Sequence, residues 1–243
     1  GGCSEVPWIK CGQILAGDVH RHVINLCQVL ASPGYGQILR DRVEGLLFHP
    51  DTLSEARRFI EHVEYMLPKE NAADYIAAKK IEWAAAYFTN CWMSRSDAGS
   101  SREFDNGMSI RFTATGGGSL TRWQSAIESI DEWNKTLRER VQFCVMDYME
   151  FFVKVQDREG HVVYLDPPWL KGGERYENRM TEEDHANMLI WAAGWKNVKV
   201  VIRHCDHPLY RRMLPETNWT WEKIGGRSVA NSEVDEWLIY SKA

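Results

Sequence analysis

The chain has 243 residues, 44% of them hydrophobic and 26% charged, and a net charge of -5 at neutral pH. These totals describe a globular chain, large enough for one domain with a sizeable insertion. They exclude a generally basic nucleic-acid binder, though not a local basic face, and no apolar run approaches the roughly 18 residues that span a bilayer.

Six cysteines (3, 11, 27, 91, 144 and 205) are scattered without a CxxC pair, which predicts reduced thiols in a cytosolic protein. No charged-then-apolar leader opens the chain, so nothing in it argues for secretion. Most of the eleven tryptophans are expected in cores, because an indole buries a large area wherever it sits.

The first readable run is Gln13 to Asp18, strand-like and ending in an acid. A helix is predicted from Val19 to Ser32, with Val23, Leu26, Cys27 and Leu30 on one face, ended by Pro33 and Gly34. Asp18 lies about fifteen residues beyond Gly1 and Gly2. A carboxylate there either accepts from the hydroxyls of a ribose or caps the next helix. Residues 37 to 93 read as mostly helical. Thr52 to Glu55 has capping-box spacing for a run to Leu67, and a narrow, alanine-rich helix follows over Ala72 to Trp92.

Residues 94 to 118 break the pattern with Ser, Gly, Arg95, Arg102 and Arg111, and Arg122 stands just after. Such a long irregular stretch is either functional or a mobile surface loop; arginine among small polar residues suits phosphate oxygens. A helix is predicted from Ser119 to Arg140. Strand-like runs then end near Asp147, at Asp166 and at Arg203, each with a helix after it, which is the pattern of a parallel sheet. Trp219 to Ile224 and Val234 to Tyr240 have no helix between them and should form an antiparallel hairpin. In one doubly wound sheet, Asp18, Asp147 and Asp166 would share a rim.

The run Val162-Val-Tyr-Leu-Asp166-Pro167-Pro168-Trp169 carries the chemistry. Neither proline can donate to a ladder, so the strand stops at about Asp166. There a carboxylate, a rigid carbonyl and an indole stand side by side, at the end of a strand where open α/β sheets bind ligands. This arrangement suits methylation of an exocyclic amine. The amine's lone pair is delocalised into its ring. Two acceptors, the Asp166 carboxylate and the Pro167 carbonyl, would draw the nitrogen toward tetrahedral geometry. Trp169 would stack on the base, which must leave its helix to reach the pocket.

On these residues the chain resembles the Dam-like family of adenine-N6 DNA methyltransferases, of phage and prokaryotic type. Asp166 to Trp169 matches the family's D-P-P-[YFW], and Gly1-Gly2-Cys3-Ser4 resembles the tail of its cofactor loop, FxGxGS. Asp147-Tyr148 resembles its Asp-Phe pair, and Arg111 to Trp123 is similar to a segment of phage-type members.

The resemblance implies a Rossmann-like, mostly parallel methyltransferase sheet with a C-terminal antiparallel hairpin. Residues 1–36 and 138–243 would form the catalytic domain, and residues 37–137 a helical and loop target-recognition insertion. It implies S-adenosylmethionine as cofactor, held by Gly1, Gly2, Cys3, Asp18, Val19, Asp147, Tyr148 and Asp166, with catalysis at Asp166, Pro167, Pro168 and Trp169. It implies double-stranded DNA as partner, with Arg95, Arg102, Arg111, Arg122 and Arg227 as candidates for reading bases or gripping phosphates. The expected setting is the cytoplasm of a prokaryotic or phage-infected cell, in restriction-modification or phage protection, without a metal.

Two departures accompany the likeness. Cys3 replaces the usual second glycine, and the family's first strand is absent upstream, which predicts weakened cofactor binding. The order, glycine loop before tetrapeptide, favours DNA over the permuted RNA adenine methyltransferases. A cytosine-N4 enzyme would more often carry Ser at position 166. A degenerate, non-catalytic nucleic-acid-binding module is the remaining alternative. His204-Cys205-Asp206-His207 makes a poor zinc site and reads as strand-end packing.

Overall fold

A computed structural model describes residues 6–66, 73–94, 107–110, 118–171, 178–227 and 233–242. The chain divides into two compact units, one up to Val145 and one from Met146 onward.

In the first unit, a parallel pair of strands, β1 (Ile14–Asp18) and β2 (Val141–Val145), is in register from Ile14 with Val141 to Asp18 with Val145. One face of the pair, through Ile14, Ala16, Val141 and Phe143, packs on Ile24 of α1 (Arg21–Ala31) and Leu137 of α6 (Ile130–Leu137). The rest of the unit is helical: α2 (Tyr35–Glu44), α3 (Pro50–Met66), α4 (Ala73–Met93) and α5 (Ser119–Glu128). Ala84, Ala85 and Ala86 of α4 are all buried, as a narrow helix at the centre of a bundle requires. Leu39, Val43, Leu53, Trp123 and Ile127 close around it, with Phe88 of α4 among them.

Two predicted boundaries move. The helix expected from Thr52 begins at Pro50, so Thr52 lies inside the first turn and the Thr52–Glu55 box does not open it. The cap is instead the ring of His49, whose Nδ1 accepts from the Asp51 N–H at 3.2 Å, with Pro50 at a position where its missing N–H costs nothing. The helix expected over Ser119 to Arg140 is two helices, divided at Ser129, whose hydroxyl donates back to the Ala126 carbonyl at 2.7 Å.

In the second unit, α7 (Tyr148–Phe152) leads to β3 (Val162–Leu165), α8 (Glu182–Gly194), β4 (Lys199–Cys205), α9 (Pro208–Met213) and the hairpin β5 (Trp219–Arg227) and β6 (Glu233–Ser241). The strand order is β3-β4-β6-β5, with β3 and β4 parallel and both other pairs antiparallel. The expected hairpin is present.

The expected single, mostly parallel sheet is not found among the described residues. Their strands form two sheets, and the second is mixed. The cause lies in the connections. Parallel neighbours need a crossover, which α8 provides between β3 and β4, whereas β6 pairs antiparallel with β5 on one edge and with β4 on the other. Among the described residues β1 and β2 pair with each other alone, so no one ladder carries Asp18, Asp147 and Asp166.

Val163, Leu165, Val200, Ile202 and Ile239 of this sheet pack on Met188 and Leu189 of α8, and on Leu209 and Tyr210 of α9. The Asp157 carboxylate pins the entry to β4. It accepts from the N–H groups of Lys196, Asn197 and Val198 at 3.0, 2.7 and 3.1 Å, and these bonds hold its pKa below the usual carboxylate value. No helix among the described residues is long and apolar enough to cross a membrane.

Candidate active site

β3 alternates exposed and buried residues, with Val163 and Leu165 inward and Val162 and Tyr164 outward. Its last pair is Leu165 with Ile202, and the ladder ends there because Pro167 has no N–H to offer. Asp166 is thus the first residue past the strand, with its side chain 30% exposed. Pro167 is buried, and Pro168 and Trp169 are half-buried. The tetrapeptide follows β3 directly, where the sequence places it, with its carboxylate facing out.

Two rings from beyond the motif brace this turn. His204, at the end of β4 and fully buried, accepts from the Leu170 N–H through Nε2 at 3.4 Å, and its Nδ1 meets the Cys205 carbonyl at 2.8 Å. That pairing requires the proton on Nδ1. The His204 ring stacks on Tyr210 at 3.9 Å and lies 6.3 Å from Trp169. His185 of α8, also fully buried, has Nδ1 2.6 Å from the Tyr210 hydroxyl. The Pro168 carbonyl favours the charged form of His185 electrostatically, yet His185 Nε2 has no partner of hydrogen-bond geometry among the described residues. Burial pushes both imidazoles down to about 4, so both are neutral at physiological pH. The expected strand-end packing of His204 is what the structure has.

A charged pair borders the carboxylate. Arg203 of β4 has Nη1 3.9 Å from Asp166 Oδ2, and its Nε donates to Glu236 of β6, which is 5% exposed. The bond to Glu236, and then the charge of Asp166, raise the guanidinium's already high pKa. Sequence reasoning missed Arg203, Glu236, His185, His204 and Tyr210 as parts of this corner. The available signal was Arg203 itself, a cation closing an apolar strand beside the one that bears Asp166.

The cofactor candidates are placed one by one. Asp18 ends β1, half-buried, and its Oδ1 accepts from the His20 N–H at 2.8 Å. The cap of α1 is not Asp18 but His20, whose ring accepts from the Val23 N–H. Val19 is exposed. Asp147, two residues past β2, caps α7 by accepting from the Met149 N–H at 2.8 Å. Tyr148 donates to the Asp184 carbonyl at 3.2 Å, and burial raises its pKa. Each carboxylate commits one oxygen to an N–H of its own turn.

Gly1, Gly2, Cys3, Arg95, Arg102 and Arg111 lie outside the described residues. Arg227 is the last residue of β5. Arg122 is exposed on α5, with its guanidinium 5.0 Å over the Trp92 ring. Cys11, Cys27, Cys91, Cys144 and Cys205 form no disulfide with one another, and no cluster among the described residues has the ligands for a metal.

The end of β3 thus carries an outward carboxylate beside a buried proline in an α/β chain. Residues 1–197 match the family model of the D12 class N6 adenine-specific DNA methyltransferases, and the chain belongs to that family. No curated protein matches it. The chain is therefore an adenine-specific DNA methyltransferase, and its substrate is DNA.

Proposed function

We propose that the methyl acceptor is an adenine flipped out of double-stranded DNA into the corner formed by Asp166, Pro167, Pro168 and Trp169. The observation that carries this reading is the position of Asp166, one residue past the end of β3 and partly open, beside a buried proline. The N6 amino group donates one N–H to the Asp166 carboxylate and one to the Pro167 carbonyl. Both acceptors draw positive charge onto the nitrogen as it bonds to carbon, and both are preorganised by the turn. The nitrogen then sheds a proton, which leaves through the solvent-facing Asp166 carboxylate. Trp169 stacks on the base and offsets part of the unstacking cost, itself a few kcal/mol.

S-adenosylmethionine supplies the electrophilic methyl group. Asp18 and Val19 would hold its ribose end, Asp147 and Tyr148 its adenine end, and Gly1, Gly2 and Cys3 its approach to the backbone. In this reading the catalytic domain comprises residues 1–36 and 138–243 with a Rossmann-like plan, and residues 37–137 form the target-recognition insertion. Arg95, Arg102, Arg111, Arg122 and Arg227 would contact the duplex.

Asp166→Asn tests the reading, because the amide keeps the shape but loses the charge. With labelled S-adenosylmethionine and unmethylated DNA of mixed sequence, transfer should fall about 100-fold or more, with DNA binding retained. Wild-type turnover in this variant would remove Asp166 from the chemistry. Binding without transfer in the unsubstituted protein would leave a non-catalytic module.

A further inference from the structure

Three polar rings fill the core behind the tetrapeptide. His185 of α8, His204 of β4 and Tyr210 of α9 are each fully buried. They touch as one group. His204 stacks on Tyr210 at 3.9 Å with the planes 12° apart, and the two imidazole centroids are 5.4 Å apart. Leucine or phenylalanine would fill the same space without the cost of burying polar atoms. Polar atoms kept in such a place need partners, and here the partners converge on one short piece of backbone.

That piece flanks Trp169. After it, the Leu170 N–H donates to His204 Nε2 at 3.4 Å, while His204 Nδ1 meets the Cys205 carbonyl at 2.8 Å. Before it, the Pro168 carbonyl is near enough to the His185 ring to favour its protonated form. His185 Nδ1 meets the Tyr210 hydroxyl at 2.6 Å, and Nε2 is buried with no hydrogen-bond partner among the described residues. A proton on Nε2, available to the Pro168 carbonyl, with the hydroxyl donating to Nδ1, accounts for both contacts. Pro167 and Pro168 carry no N–H, so at these two positions the turn has no donor with which to hold itself. Trp169 itself is half-buried, its ring 6.3 Å from that of His204.

We propose that His204, together with His185 held by Tyr210, positions Trp169. The two imidazoles hold the backbone before and after this residue and so set the tilt of the indole on which the flipped adenine stacks. The proposal rests on the reading of the tetrapeptide as the base pocket. Both rings are fully buried, so they act on the base only through Trp169. Stacking depends on the plane of the indole, and a turn held on both sides keeps that plane in place before the base arrives.

The test follows single-turnover methyl transfer from labelled S-adenosylmethionine to unmethylated DNA of mixed sequence, in the full chain and its variants. Trp169→Ala removes the stacking surface and should slow transfer about 30-fold. His204→Leu removes the acceptor for the Leu170 N–H. It should slow transfer about tenfold, with KM for S-adenosylmethionine within about twofold of that of the unsubstituted protein. His204→Gln, whose amide oxygen can accept from the same N–H, should return to within about threefold. His204→Leu combined with Trp169→Ala should be no slower than Trp169→Ala alone, because no indole is left to orient.

That absence of further loss separates positioning from a merely structural role, whose effect would multiply through in both backgrounds. A full tenfold loss from His204→Leu beside Trp169→Ala would overturn the proposal. So would unchanged transfer in His204→Leu while Trp169→Ala is impaired. If His204→Leu does not fold, Tyr210→Phe decides in its place, since it keeps the stacked ring and loses only the hydroxyl on His185. It should slow transfer about threefold alone and not at all beside Trp169→Ala, and unchanged transfer in Tyr210→Phe alone overturns the proposal. Unchanged transfer in Trp169→Ala would instead overturn the underlying reading of the tetrapeptide, and the proposal with it.

Discussion

His185 and His204 brace the tetrapeptide only as neutral rings. His204 needs its Nε2 lone pair for the Leu170 N–H, and the ring centroids are 5.4 Å apart, so charging both would set two cations side by side in a core. Their pKa values near 4 lie below the ordinary 6.5, through burial. Between those values the unfolded chain binds protons that the native state does not. Stability is therefore full above about pH 6.5 and declines as the pH falls toward 4. Each ring contributes at most about 1.4 kcal/mol per pH unit over that window. Urea midpoints at pH 7 and pH 5 measure the decline. His204→Gln, which cannot titrate, should flatten the slope by one group's share whatever it costs at pH 7. An unchanged slope would show that His204 is not carrying the linkage. His22 in the first unit, donated to by Trp83 at 2.7 Å and also shifted to about 4, adds a term that this variant leaves in place.

Helix α8 carries His185 and is started by a reciprocal cap. Thr181 accepts from the Asp184 N–H at 3.1 Å, and Asp184 accepts from the Thr181 N–H at 2.8 Å. Thr181→Ala should cost about 1 kcal/mol by chemical denaturation and Thr181→Ser should restore most of it; equal loss in both would point to the methyl group rather than the hydroxyl. This start was legible in the sequence because threonine and aspartate cap by a local rule. Other starts were not. α1, α3 and α9 each have a histidine ring accepting a first-turn N–H, from His20, His49 and His207, and histidine is not read as a cap. The tetrapeptide was legible for the same local reason: two prolines end a ladder wherever they fall. The bracing of that turn was not, because it depends on register. Only the pairing of β3 with β4 and of β4 with β6 brings Arg203 and Glu236 to Asp166, and strand order is not written in any one strand. The place of the hairpin in the second sheet was missed similarly. The hairpin was visible, but not that β6 would sit against β4.

At the scale of the molecule, an acidic chain must bind a polyanion. A net charge of -5 contributes repulsion at a distance, so affinity for DNA has to come from local cations. Arg122 is a candidate with known surroundings. It is exposed, it rests over Trp92, and no carboxylate among the described residues pairs with it. A guanidinium kept extended by an indole loses little further freedom when it meets a phosphate. Binding to unmethylated DNA of mixed sequence should weaken linearly on a log-log plot against salt, and Arg122→Ala should make that slope shallower by about 0.9. The loss should be uniform across sequences. If the variant instead keeps the wild-type slope and relaxes preference at one base pair, Arg122 reads a base. If neither changes, contact with DNA lies elsewhere, and Arg122 serves only to cover Trp92.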